Sequence, residues 1–296
     1  MVRAGRYGAL LDALRGVRWM ARRPAAAAVA GVHPSRMQGS SPELSEFRRY
    51  RQGDDPRRID WKLLARSDRV YVRIANDRSI LPTMLLLDAS ASMAFPAAGA
   101  TKWDAARMLA VGLAAVAHAE GDPVGVAVSG GDSPAALAPR TRRGVVAEMA
   151  RLLDGVAPSG AAPMAPLLVR RAGIPRVVIV SDFLGESDDT LRAGRELTAG
   201  GIEVHAVHVV AREELEPPSR SMLATDPENA ALRRTLAPAT RDGYIAAFAE
   251  WRDTLAREWR SAGASYTLVP GDEPADHAVR RIANPRAGIG GGVSAA

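Results

Sequence analysis

The sequence predicts an α/β fold, a mostly parallel sheet flanked by helices with a small β-rich extension ahead of it. Three observations carry that expectation. From residue 81 onward, short apolar runs rich in β-branched residues alternate with segments of helical periodicity, the pattern of a parallel sheet wrapped by helices. The connections between these segments are short, as α/β units require. The chain has 296 residues, 47% of them hydrophobic, enough to bury one substantial core beside a small second lobe.

Each element follows from its local pattern. Residues 7–21 set Leu10, Leu11, Leu14, Val17 and Met20 at helical spacing with arginines between them, which predicts one amphipathic helix packed on the body. Its basic amphipathic character leaves peripheral membrane contact as the alternative. Residues 69–74 alternate, with Val70, Val72 and Ile74 expected inward and Tyr71 and Arg73 outward, a strand of the extension. The core strands are expected at 83–87, 124–129, 176–180 and 202–210, with a late one at 266–269. Helices are expected at 102–119, 143–153, 187–199, 243–262 and 275–283. Gly130, Gly131, Asp132, Ser133 and Pro134 predict a hairpin turn into a short antiparallel edge strand at 135–138. Residues 213–227 hold three prolines and no long apolar run, an excursion between core elements. The expected organisation is a helix and linker at 1–34, a β-rich region at 35–80, the α/β domain at 81–285 and a Gly- and Ala-rich tail at 286–296.

Composition narrows the chemistry. Cysteine is absent, so thiol catalysis, disulfides and thiolate metal sites are excluded, which fits a reducing compartment. The longest early apolar run, residues 25–32, falls far short of the roughly 20 residues of a spanning helix, and Arg15, Arg18, Arg22 and Arg23 interrupt any export signal, so a cytoplasmic location is expected. The net charge of +6 is uneven: residues 1–80 carry 17 Lys plus Arg against 8 Asp plus Glu. Arg48, Arg49 and Arg51 are interleaved with acids and few aromatic residues accompany them, so nucleic-acid binding is not expected, and anion or nucleic-acid binding by this basic N-terminal region stays only as an alternative.

The run Leu85-Leu86-Leu87-Asp88-Ala89-Ser90-Ala91-Ser92-Met93 ends a buried strand in a carboxylate followed by two hydroxyls. Ligand sites of open α/β sheets form outside the carboxyl ends of strands. Asp182 follows Val177-Val178-Ile179-Val180-Ser181 at a second strand end, so the two carboxylates are expected together. Asp88, Ser90, Ser92 and Asp182 offer only oxygen, the ligand of Mg²⁺ or Mn²⁺ and, less well, Ca²⁺. Ser and Asp are also ordinary turn and cap residues, which is the plainer reading of the loop. A haloacid-dehalogenase-like phosphatase would need a carboxylate where Ser90 stands. No Gly-x-Ser-x-Gly elbow and no Walker-type phosphate loop occurs, and the five histidines show no partner spacing. A metal-dependent hydrolase using Asp88 therefore stays only as the alternative to a binding function.

The stretch Phe47-Arg48-Arg49-Tyr50-Arg51-Gln52-Gly53-Asp54-Asp55-Pro56-Arg57-Arg58-Ile59-Asp60-Trp61-Lys62 resembles the hallmark of a bacterial family called domain of unknown function 58, and the resemblance extends over most of residues 36–283. It implies a von Willebrand factor A-like fold with a metal-ion-dependent adhesion site at the Asp-x-Ser-x-Ser loop. It also implies work beside a MoxR-type AAA+ ATPase in chaperone-like maturation of a client protein, which is recognition and not catalysis. Where the family pattern has a ligating Thr, this chain has Ala161 or Ala162, leaving Ser159 as the nearby hydroxyl. Within the hallmark, Trp61 is expected to anchor the extension in its core, the alternative being a docking surface with Arg and Trp as hot spots.

Overall fold

The computed structural model describes residues 4–21, 30–34, 45–52, 54, 56, 59–67, 69–75, 78–132, 135–171, 173–185, 187–219, 221–225 and 233–284. In chain order its elements are α1 (Ala4–Ala13), β1 (Ala30–Pro34), β2 (Ser45–Arg49), α2 (Trp61–Ser67), β3 (Tyr71–Ala75), β4 (Arg78–Ser79), β5 (Thr83–Ala89), α3 (Lys102–Ala119), β6 (Val124–Gly130) and β7 (Ala136–Arg140). There follow α4 (Val145–Asp154), α5 (Ala165–Val169), β8 (Arg176–Ser181), α6 (Ser187–Ala199), β9 (Glu203–Val210), α7 (Arg212–Leu215), β10 (Met222–Thr225), β11 (Arg233–Leu236), α8 (Pro238–Ser261), β12 (Ser265–Pro270) and α9 (Ala275–Ala283). The chain divides into two compact units, residues 21–81 and the remainder.

The larger unit is built on a six-stranded sheet in the order β12-β9-β8-β5-β6-β7. All neighbours are parallel except the β6–β7 pair, so the sheet is mostly parallel with one antiparallel edge, as the sequence predicts. Counted along the chain the order is 3-2-1-4-5-6, the doubly wound arrangement, whose switch point lies between β5 and β8. The central strands are buried on both faces, which is why they read as unbroken apolar runs. Strand pleating sorts their side chains: Leu85, Leu87, Val178, Val180, Val207 and Val209 meet α1, α3, α4 and α9. Met84, Leu86, Val177, Ile179, Val204 and Ala206 meet α5, α6 and α8.

Helix α1 belongs to this unit. Leu10 and Leu14 lie over Gly112 of α3 beside Val279 of α9, and the Tyr7 hydroxyl donates to Asp154 at 2.7 Å. The helix is shorter than its apolar periodicity predicts, because Gly16 turns the chain at φ 77°. Beyond it, Trp19 is fully buried; its ring lies 4.2 Å from the Arg176 guanidinium, which donates to the Trp19 carbonyl at 3.2 Å. The excursion at 213–227 contains α7 and β10, which pairs antiparallel with β11, a hairpin the prolines concealed.

The smaller unit holds two antiparallel pairs, β1–β4 and β2–β3. Val72 is buried as expected, but Val70 precedes β3 and is exposed, so the strand begins two residues later than its sequence suggests. Trp61 also departs from expectation. Asp60 accepts hydrogen bonds from the Lys62 and Leu63 amides, capping α2 and leaving Trp61 as its first residue, 64% exposed. Trp61 therefore does not anchor a core. Gly53, Asp55, Arg57 and Arg58 lie outside the described residues.

Candidate functional site at the carboxyl edge of the sheet

The doubly wound order sets the ends of β5 and β8 side by side at the switch point, where the connecting helices depart to opposite faces. Asp88 ends the apolar part of β5, and Ser181 ends β8 with Asp182 directly after it. The backbone then turns tightly on both sides. Ser90 opens a short 3-10 turn, Ala91–Ala94, without a side-chain capping bond, so the hydroxyl is not used as an ordinary cap. Phe183 takes φ 53°, a left-handed conformation that a bulky residue adopts at a cost. Its ring is buried against His208 and Trp259, and the turn leaves Leu184 exposed beside Asp182.

The structure brings the four expected residues into two linked groups. Asp88 Oδ1 accepts from the Ser90 amide at 2.8 Å and Oδ2 from the Ser181 hydroxyl at 2.6 Å. The Ser90 and Ser92 hydroxyls bond each other at 2.9 Å. Asp182 Oδ1 accepts from the Leu184 amide at 3.1 Å, and its Oδ2 from Lys102 Nζ at 2.7 Å. The same ammonium reaches Glu214 Oε1 at 2.7 Å, while Glu214 Oε2 accepts from the Ala211 amide at 2.7 Å. Asp88, Ser90, Ser92, Lys102, Ser181 and Asp182 are all buried.

Burial, and then the neighbouring Asp182 carboxylate, push the Asp88 carboxyl up to about 6, against the hydrogen bonds from Ser181 and Ser90. Burial works against the Lys102 ammonium, but Asp182 and Glu214 outweigh it and raise its proton affinity. Lys102 and Glu214 are the residues that sequence reasoning missed. Lys102 looks like the first residue of an amphipathic helix and Glu214 like part of a polar excursion; only the sheet order brings them together.

The divalent ion implied by the family resemblance finds oxygen donors of the right kind here, yet the residues do not fit it as a resident group. Every carboxylate oxygen of Asp88 and Asp182 already accepts a hydrogen bond from the protein. Ala161 and Ala162 add no side-chain oxygen to the loop whose Gly160 carbonyl accepts from the Ala91 amide and whose Ser159 amide donates to the Ala89 carbonyl. An ammonium already sits on Asp182. Among the described residues no three Asp, Glu or His side chains are grouped to hold a metal.

The histidines do other work. His205 Nδ1 meets Ser265 Oγ at 2.7 Å and its Nε2 meets Glu203 at 2.6 Å. The parallel register places Ser265 opposite His205, 60 residues away, which no sequence spacing reveals. This relay lies at the amino end of β9 and β12. Glu203 also pairs with the buried Arg176 at 3.4 Å and the imidazole packs edge-on against Trp19, so the relay ties sheet strands together. On the other face, His208 Nδ1 meets the Tyr266 hydroxyl at 2.6 Å, and burial pushes its pKa down to about 3.

With this geometry in place, comparison with known proteins adds the family. Residues 46–254 match the sequence profile of the proteins of unknown function DUF58. The chain belongs to that family. Uncharacterized proteins of Mycobacterium tuberculosis (Rv1480) and Mycobacterium bovis (Mb1516) are each 31% identical to it over 267 residues, covering 86% of this chain and 83% of theirs. Among solved structures, BatB of Bacteroides thetaiotaomicron is similar at 15% identity and a TM-score of 0.46, covering 70% of this chain and 99% of that one. The SpRpn10 VWA domain is similar at 14% identity and a TM-score of 0.41, with 73% and 100% covered. No helix among the described residues of this DUF58 protein is long and apolar enough to cross a membrane.

Proposed function

We propose that this DUF58 protein is a non-enzymatic protein–protein interaction module. In this reading it recognises its partner with the loops at the carboxyl edge of the sheet, in the cytoplasm, beside a MoxR-type AAA+ ATPase that matures a client complex. The observation that carries the reading is the exposed Leu184, 49% accessible, held by a strained turn directly beside the buried carboxylates. An apolar side chain presented at the carboxyl edge of the sheet, where ligand sites of open α/β folds form, suits contact with a partner. Catalysis finds less support. The Ser90, Ser92 and Ser181 hydroxyls bond one another or Asp88, and the described bonds of His205 and His208 lead elsewhere.

The test is co-purification of the tagged chain with a MoxR-type ATPase from the same cell. Capture is expected from wild type and from Ser261→Glu, which adds charge at the opposite edge, and lost in Leu184→Glu. Equal capture by all three would remove the carboxyl edge from the interface. Turnover of generic phosphate or ester substrates, lost in Asp88→Asn, would establish the hydrolase alternative instead.

A further inference from the structure

We propose that the buried ammonium of Lys102 takes the place of the divalent cation at this site, so that the carboxyl-edge loops are organised without metal. The inference concerns how the site is held together and stands whether or not the partner above is the right one.

Four observations converge on it. Lys102 is the first residue of α3, and its side chain, 1% exposed, lies between two carboxylates at 2.7 Å each. A lysine that deep is kept only where partners replace its lost hydration, and Asp182 and Glu214 do so. Those partners come from different elements: Asp182 follows β8, and Glu214 lies in α7 after β9. One positive charge thus joins the start of α3 to the ends of two parallel strands, the cross-linking that a bound cation supplies to converging acidic loops.

The oxygens of the site are also held in place by hydrogen bonds within the protein, without a metal to orient them. Asp88 is held by Ser90 and Ser181, Asp182 by Leu184 and Lys102, and Ser90 by Ser92. A divalent ion approaching Asp182 would meet the ammonium as a like charge in a desolvated setting, where repulsion is poorly screened. Lastly, Ala161 and Ala162 stand beside this loop cluster without a ligating side chain, so the ring of donors is open where a metal shell would need it closed. A missing donor and an internal cation on Asp182 point to the same outcome.

The experiment is Mn²⁺ binding, followed by calorimetry and by the electron paramagnetic resonance of free Mn²⁺, on the full chain after chelator treatment, with thermal unfolding in Mg²⁺, Mn²⁺ or chelator. Wild type is expected to bind no Mn²⁺ at millimolar concentration and to unfold at one temperature in all three conditions. Lys102→Met, which keeps the length of the side chain and removes its charge, is expected to gain weak, millimolar Mn²⁺ binding on the freed Asp182 together with Asp88, the open donor ring keeping it weak, and with it a metal-dependent rise in unfolding temperature. Both gains should vanish when Asp88→Ala is added. Mn²⁺ binding by wild type that disappears in Asp88→Ala overturns the proposal. So does a folded Lys102→Met that takes up no Mn²⁺. Should Lys102→Met fail to fold, the wild-type measurements decide, and Lys102→Arg, which retains the charge, is expected to remain indifferent to metal.

Discussion

Asp88 is a carboxyl that holds its proton more tightly in the fold than in the unfolded chain, and that difference has a definite sign in stability. Its pKa rises from an ordinary 3.8 to about 6 on folding, because burial and Asp182 disfavour its charge. Between those values the native state binds the proton more tightly than the unfolded chain, so this residue's contribution falls as pH rises through the window. Below the window it costs nothing; above it the full cost is present. Asp88→Asn keeps the shape and removes the titration. Denaturant unfolding of both proteins from pH 4 to pH 7 should therefore show the variant gaining on wild type by up to roughly 1.4 kcal/mol per pH unit across the window. A difference that stays flat with pH would show that Asp88 is not held as described. The four residues of this loop system were legible in the sequence because a carboxylate after an unbroken apolar run marks a strand end, with the two hydroxyls following Asp88 at once. Lys102 and Glu214 were not, since 112 residues separate them and neither sits in a run that betrays its neighbour.

Elements in this molecule are positioned by a few close approaches, and two of them make measurable claims. Gly194 of α6 lies against the fully buried Trp259 of α8, so close that a Cβ would come within 2.4 Å of a ring carbon. Helix propensity alone would make Gly194→Ala stabilising by about 1 kcal/mol. Overpacking a rigid indole costs about 1–3 kcal/mol, so a net loss of unfolding temperature is expected, and a gain would mean that the α6–α8 contact is looser than described. Leu14 of the segment after α1 is 5% exposed against α3 and α9. Leu14→Ala should cost about 3 kcal/mol in urea unfolding. A cost near zero would return this segment to the membrane-contact alternative. The bounds of α3, α6 and α9 were readable to the residue because each shows a clear apolar face between polar ends. The β10–β11 hairpin was not, because its strands are four residues each and prolines crowd its approach.

The whole molecule turns a linear order into two unlike edges, and this asymmetry predicts where a partner is felt. All five parallel strands of the sheet point their carboxyl ends one way, so the loops after β5, β8 and β9 gather at one edge with Asp88, Asp182 and Glu214. The opposite edge is closed by Arg176, which pairs with Glu203 and, at 3.8 Å, with Asp122, beneath Trp19. That closure leaves its side chains committed to one another. A partner that docks as proposed should therefore slow amide exchange in residues 90–95, 159–164 and 182–185, and leave residues 121–123, 200–202 and 262–264 unchanged. Hydrogen–deuterium exchange of the complex reads both edges in one measurement. Protection confined to the second set would place recognition at the Arg176 end. Protection of neither set, with binding retained, would move it to the smaller unit, where the exposed Trp61 stands at the head of α2.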